Sequence, residues 1–308
     1  MKLIRGLHNL PSEPQPSVVT IGNFDGVHRG HQQIVAQIQD IARKQGLASC
    51  VIIFNPQPIE FFNPEAAPAR LSTSAEKLKM FQSLGVDQLF LLHFDHQLAS
   101  MTAADFIEEV LCPLGIRHLV VGKDFRFGKG REAGINDLTG HGKKHGFELS
   151  PADTVSEHGR RISSTWIRQL LQTSDFALAE HLLGRRFSIE GRVVHGDKRG
   201  RILGFPTANL MMNRIKSPVH GVFATAVTLA DGRTLPAVSN VGSRPVFSGV
   251  QELLETHILD FSEEIYAEKI CVTFMQKLRN EEKFSSIEEL KNQIGIDVKN
   301  AREFHRIN

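Results

Sequence analysis

The chain has 308 residues, 41% of them apolar, with 36 Lys and Arg against 34 Asp and Glu and a formal charge of +2. That length suits two domains, each able to bury its own core. The balanced charge argues against a nucleic-acid or membrane-surface partner, and no apolar run approaches the ~20 residues of a membrane helix. Residues 1–15 carry two prolines and no continuous apolar core, so no secretory signal is read. Cys50, Cys112 and Cys271 are too far apart for a Cys-x-x-Cys metal site and read as free thiols of a cytoplasmic protein.

Val18-Val19-Thr20-Ile21 predicts a strand, and a glycine-rich turn follows it. Ile34, Val35, Ile38, Ile41 and Ala42 then mark one face of a helix. Residues 50–54 read as a buried strand, Leu78, Phe81 and Leu84 as a helix, and residues 89–92 as a strand. Phe106, Ile107 and Val110 mark another helix before a strand at 119–121. Strands alternating with helices imply right-handed crossovers and a parallel, Rossmann-like α/β sheet. Ligands of such sheets bind beyond the carboxyl ends of the strands. The loops 22–31, 55–58 and 122–128 all follow strands.

A helical stretch spans 166–183, and the pattern then changes. Short alternating segments at 188–194, 222–229, 235–241, 253–259 and 269–274 are punctuated by Gly, Pro and Asp. They predict an antiparallel barrel or sandwich, with a helix returning over 287–304. A boundary near Gly184, where a helix ends in glycine, gives domains 1–184 and 185–308.

Gly22-Asn23-Phe24-Asp25-Gly26-Val27-His28-Arg29-Gly30-His31 is the densest signal. Glycines let backbone N–H groups approach phosphate, and a helix N-terminus favours anionic charge. Two imidazoles three residues apart can face an α-phosphate, stabilising charge as pyrophosphate departs. His28-Arg29-Gly30-His31 resembles the His-x-Gly-His signature of nucleotidyltransferases. Ser163, Ser164 and Thr165 stand before a helix, either as simple caps or as a second phosphate grip, with Arg168 one turn on as a bidentate donor. Asp124, Phe125 and Phe127 form either a tight packed turn or a nucleotide contact with rings that bound a planar ligand. Phe54 and Pro56, in Phe54-Asn55-Pro56-Gln57-Pro58, are a candidate wall beside the second substrate.

The second concentrated signal runs from Gly200 and Arg201 through Gly204 to Thr207 and Asn209. It is not a Walker A loop, because no Gly-Lys-Ser/Thr follows. Lys198, Arg199 and Arg201 add positive charge near glycines that admit phosphate. Thr207 and Asn209 project to one face of an extended segment, and two neutral oxygens suit Mg²⁺ when substrate phosphates complete its shell. Glu255 lies in an apolar strand-like run, either on a solvated face or aimed into a site as general base. His257 shares its parity and is the less specific candidate.

These motifs, in this order over essentially the whole chain, resemble the bacterial bifunctional riboflavin kinase/FMN adenylyltransferases. The resemblance implies a Rossmann-like nucleotidyltransferase domain followed by a six-stranded antiparallel β-barrel with a C-terminal helix. It implies that the barrel phosphorylates riboflavin with ATP and that the first domain adenylylates FMN with a second ATP. Asn23, Asp25, His28, His31, Asp124, Ser164, Thr165 and Arg168 would contact ATP, Thr207 and Asn209 would hold Mg²⁺–ATP, and Glu255 would be the base. Gln57 stands where many members carry His, Phe223 where Tyr is usual and Ala267 where Gly is usual; Ser239 and Ser243 occupy places often held by Ala and by Thr or Ser. The alternative is a single-activity nucleotidyltransferase with a structural or flavin-sensing C-terminal domain. An aminoacyl-tRNA synthetase would need a Lys-Met-Ser-Lys-Ser-like loop, which the sequence lacks. Oligomeric state leaves no mark in the sequence.

Overall fold

The computed structural model describes residues 1–196, 199–246 and 249–307. Lys198 lies outside the described residues, as do the side chains of Arg199 and Arg201. The chain forms two compact units, Met1–Pro68 with Ser74–Ser163 and Ala69–Thr73 with Ser164–Asn308.

In the first unit six strands form one parallel sheet: β1 (Lys2–Arg5), β2 (Ser17–Ile21), β3 (Ala48–Asn55), β4 (Gln88–His93), β5 (Ile116–Val121) and β6 (Glu148–Pro151). Their order is β1-β4-β3-β2-β5-β6, with every neighbouring pair parallel. From β2 the chain steps one way through β3 and β4, and the other way through β5 and β6. Such a reversal opens a crevice beyond the carboxyl ends of the two central strands. The 22–28 turn and the 122–128 loop leave β2 and β5 at that point.

Side-chain alternation buries both faces of the sheet. Val19, Ile21, Cys50 and Ile52 pack against Phe106, Ile107 and Val110 on one side. Val18, Val51 and Ile53 meet Val35, Ile38 and Phe81 on the other. Strands covered twice read as continuous apolar runs, and each buried Val or Ile contributes about 1.5–3 kcal/mol. Cys50 and Cys112 are free thiols. Burial pushes the Cys50 thiol up to about 12, which keeps it protonated and unreactive. A short hairpin, β7 (Ser156–Glu157) with β8 (Arg160–Arg161), precedes Ser163.

The second unit begins its helices at Ser164–Gln172 and Phe176–Leu183. The single helical stretch expected there is divided at Ser174, whose φ is 63°. Asp175 restarts it, its carboxylate accepting from the Leu178 N–H at 3.1 Å. Gly184, at φ 73°, closes the second of these helices in the left-handed conformation.

Six strands then form a closed antiparallel barrel: β9 (Ser188–Val194), β10 (Ala208–Met211), β11 (Gly221–Thr228), β12 (Thr234–Val246), β13 (Gly249–Ile258) and β14 (Lys269–Arg279). β9 pairs with both β10 and β14, which decides for a barrel over a sandwich. Inside it, Thr225, Ser239 and Thr256 are fully buried and link hydroxyl to hydroxyl across β11, β12 and β13 at 2.7 and 2.9 Å. Leaving one of these oxygens without its partner costs about 1–3 kcal/mol. The helix Ile287–His305 covers the outer face at Val222, Ala224 and Val238 through Val298 and Ala301. Asp297 anchors it, accepting from Arg279 Nε at 2.9 Å, Arg279 Nη2 at 2.8 Å and Gln293 Nε2 at 3.0 Å.

Burial, as the largest cause, holds the imidazoles of His31, His118 and His305 below their ordinary value of 6.5. Unfolding therefore takes up protons below pH 6.5, because the unfolded histidines protonate near that pH and the folded ones only at lower pH. The contribution is complete above that pH and is lost as pH falls through the depressed folded values. The thermal midpoint should drop between about pH 7 and pH 5. A midpoint that stays level over that interval contradicts this reading.

Candidate active sites

The 22–28 turn is strained where it leaves β2. Gly22 N–H donates to the Ile52 carbonyl at 3.1 Å. Phe24, Gly26 and Val27 then all adopt positive φ, at 46°, 84° and 40°. Val27 is β-branched, and such residues rarely tolerate that conformation, so the packing around the turn must hold it. Phe24, Asp25, Val27 and His28 are all at most 4% exposed. The Phe24 ring is part of the core and lies 4.9 Å from His31 and edge-on to Phe81. Any ligand contact by Phe24 is therefore one of backbone.

His28 caps the helix Arg29–Gln45, its Nδ1 accepting from the His31 N–H at 3.3 Å. That bond leaves Nε2 as the protonated nitrogen of a neutral His28. The two imidazoles stack at 3.6 Å with their planes 17° apart. His31 is partly exposed as a residue, but its Nδ1 is fully enclosed and has no hydrogen-bond partner among the described residues. Burial first, then the charges of His28, Lys77 and Arg161, hold its imidazole well below the ordinary range.

Gly30 is explained by the same stack. A Cβ there would lie 3.2 Å from the His28 ring, and that ring must shift to admit it. Alanine also favours a helix by about 0.5–1 kcal/mol over glycine. Gly30→Ala should thus retain or raise thermal stability while displacing the His28 ring from its stack on His31, read as shifted ring resonances by NMR. Unchanged resonances would show that the ring does not have to move.

Lys77 is a residue that the motifs do not single out. It is 2% exposed, on the helix Ser74–Ser83, and its Nζ donates to the Asn23 carbonyl at 2.6 Å. In the sequence it is only a lysine four residues before Phe81, sharing a helix face with Ser74, Met80 and Phe81. Asp124 pairs with Arg161 at 3.1 Å on the surface. Phe125 and Phe127 stack at 5.7 Å, but Phe127 is buried and backs Phe125. Phe125 borders a depression of about 560 Å³ with Lys123, Arg126 and Asp137. Phe54 meets Phe94 edge-on beyond β3, beside Phe61 and Phe62, and Phe62 is 65% exposed. Pro56 follows a cis peptide bond. Gln57 is buried and caps the short helix Pro58–Phe62 with Glu60.

Ser163 ends the first unit, whereas Ser164, Thr165 and Arg168 belong to the second. Arg168 Nε donates to the Ala69 carbonyl at 2.6 Å.

In the barrel, Gly200, Thr207, Asn209 and Glu255 line one cavity of about 510 Å³. Gly200 accepts from the Phe205 N–H at 2.8 Å, folding the loop back so tightly that a Cβ would stand 2.4 Å from the Phe205 carbonyl. Gly204, at φ 89°, makes the turn. Asn209 is 8% exposed and lies against Gly196, where a Cβ would come within 2.4 Å of its amide. Leu254, Thr256 and Ile258 fill the barrel interior, so Glu255 projects outward on β13. Its register partners are Asn209 on β10 and Asn240 on β12. The outward face is roofed by Phe284, Leu290, Ile294 and Val298, so Glu255 looks into a walled site rather than open solvent. His257, on the same face, hydrogen-bonds through Nδ1 with the Pro206 carbonyl at 2.7 Å. Thr207 also borders a second cavity of about 300 Å³ with Phe261 and Tyr266. One residue thus touches two pockets, the arrangement that a two-substrate transfer needs.

Comparison with known proteins gives two family matches on this chain. The FAD synthetase family model matches residues 10–166 and the riboflavin kinase family model residues 183–305. The bifunctional riboflavin kinase/FMN adenylyltransferase of Escherichia coli K12 is 47% identical over 306 residues, covering 99% of this chain and 98% of that protein. The protein of the same name from Pseudomonas fluorescens is also 47% identical, over 98% of this chain and 97% of its own length. A crystal structure described as a macrolide-efflux protein from Streptococcus pneumoniae superposes with a TM-score of 0.80 at 31% identity, over 98% of this chain and 99% of that one. Among the described residues here, no helix is long and apolar enough to cross a membrane.

Proposed function

The chain belongs to the bifunctional riboflavin kinase/FMN adenylyltransferase family, and we propose how its residues divide the two reactions. Riboflavin is phosphorylated to FMN by ATP, and FMN is then adenylylated by ATP to FAD with release of pyrophosphate. We take residues 1–184 as the adenylyltransferase domain and 185–308 as the kinase domain. The family matches at 10–166 and 183–305 support this division.

In adenylyl transfer, an FMN phosphate oxygen attacks the α-phosphorus and pyrophosphate leaves. His28, through its Nε2–H, and His31 hydrogen-bond the oxygens on which charge accumulates. The N-terminus of Arg29–Gln45 and the backbone from Gly22 to Asp25 add fixed dipoles. Gly30 allows the approach of His28, and Asp124 orients the nucleotide. Ser163, Ser164, Thr165 and Arg168 are assigned to the triphosphate on their motif. Phe54, Pro56 and Phe125, with Phe127 behind, are assigned to the isoalloxazine ring.

In the kinase, the riboflavin 5′-hydroxyl attacks the γ-phosphorus while Glu255 accepts its proton. Gly200, Arg201 and Gly204 are assigned to phosphate, and the pocket with Tyr266 and Phe261 to the nucleotide. Thr207 and Asn209 would hold Mg²⁺; their neutral oxygens and the close approach of Asn209 to Gly196 fit an ion whose remaining ligands are phosphate and water. When bound, the ion neutralises phosphate charge. The free thiols of Cys50 and Cys112 fit a reducing cytoplasm.

The observation that carries this division is the shared cavity of Thr207, Asn209 and Glu255, apart from the stacked histidines of the other unit. It is tested by incubating the purified protein with riboflavin, ATP and Mg²⁺ and separating the flavins. FMN and then FAD should appear, and the absence of both would overturn the assignment.

A further inference from the structure

A buried ammonium gives up hydration worth several kcal/mol and is kept only where something compensates it. Lys77 is such a group, at 2% exposure, and its Nζ lies 2.6 Å from the Asn23 carbonyl. The same helix sends Phe81 edge-on against Phe24 at 5.6 Å, and Phe24 lies 4.9 Å from the His31 ring. One helix thus grips the strained turn twice, by charge at Asn23 and by a ring at Phe24. Asn23 stands between the strand and the first positive-φ residue, so its peptide orientation decides where His28 and His31 start.

We propose that Lys77 is a positioning residue for adenylyl transfer, whose buried ammonium anchors the 22–28 turn through Asn23 and keeps a fixed positive charge beside His31. This rests on the assignment of His28 and His31 to that reaction. The charged groups acting on His31 include His28 in the turn, Lys77 on its helix and Arg161 on the hairpin, the last paired with Asp124; the carboxylates of Asp25 in the turn and Glu76 beside Lys77 are buried as well. Burial first, and the neighbouring cations after it, disfavour a proton on His31, so the imidazole stacks neutral on His28 without repulsion.

The test uses full-length Lys77→Met, Lys77→Gln and Lys77→Arg proteins beside His28→Ala. Adenylylation of FMN is measured as kcat and KM, with the thermal midpoint and the NMR spectrum of the first unit as the control for its folding, riboflavin phosphorylation as the control for the second, and the His31 titration followed by NMR. In Lys77→Met, adenylylation kcat should fall on the order of 10²-fold, as for a misplaced catalytic group, with phosphorylation unchanged. Lys77→Arg should recover most of the rate. The His31 midpoint should move to higher pH in Lys77→Met, because a cation beside it is gone. Lys77→Gln keeps a donor for Asn23 without the charge, and His31 should move upward there too. Normal adenylylation in Lys77→Met with His28→Ala inactive overturns the proposal alone. So does a His31 midpoint that stays in place in the Gln variant. Normal adenylylation in His28→Ala overturns the underlying assignment instead.

Discussion

His28→Ala is expected to abolish FAD formation while riboflavin is still converted to FMN, which accumulates. The substitution removes the Nε2–H donor, the stacking partner of His31 and the cap of Arg29–Gln45 together. The lost cap costs about 0.5–2 kcal/mol, which an otherwise intact unit should survive with a lowered thermal midpoint. The lost donor to a charge-developing oxygen costs on the order of 10²–10³ in rate, so the chemical deficit exceeds the structural one. The kinase residues sit in the other unit's cavity and keep their geometry. Chromatography of the flavins after incubation with riboflavin and ATP reads both outcomes in one trace. FAD made at the normal rate would remove His28 from the mechanism. Loss of FMN as well, in a folded protein, would refute two independent sites.

The reciprocal expectation concerns Glu255. Changing it to Gln preserves shape and burial but removes the proton acceptor, and riboflavin phosphorylation should fall by about 10²–10⁴. FMN supplied directly should still be adenylylated at the original rate. Asn209 and Asn240 flank Glu255 in register, so the amide of a glutamine has neighbours of like polarity and folding is not threatened. The two defects should also complement: a mixture of His28→Ala and Glu255→Gln proteins should carry riboflavin through to FAD. A Glu255→Gln protein that phosphorylates riboflavin normally would leave the hydroxyl proton with another acceptor.

Much of this was legible in residues alone, for reasons that can be named. The parallel sheet announces itself because 18–21, 50–53 and 119–121 are buried on both faces and are apolar at all but Thr20. The 22–31 decapeptide is legible because its glycines and histidines answer steric demands at fixed spacing, as Gly30 beneath His28 shows. The orientation of Glu255 was not, because leucines precede it on both parities. Leu254 fills the barrel while Leu253 lines the cavity, so alternation loses its meaning where a helix covers the outside. Barrel or sandwich turned on the pairing of β9 with β14, a contact between distant segments that no local pattern encodes. Lys77 stayed hidden because a lysine on an amphipathic helix reads as solvated until the packing of Phe24 and Phe81 is known.

The two sheets also differ in how they end. A closed barrel has no strand with an unpaired side, whereas β1 and β6 each have a single partner in their sheet. An unpaired strand is a template for adding another chain, and aggregation starts at such borders. Both are only four residues long, and β6 ends in Pro151, which has no N–H to offer. β1 carries Lys2 and Arg5 at its two ends, charges that oppose a hydrophobic newcomer. Self-association by strand addition is therefore discouraged by brevity and charge in the adenylyltransferase half, and by topology in the kinase half.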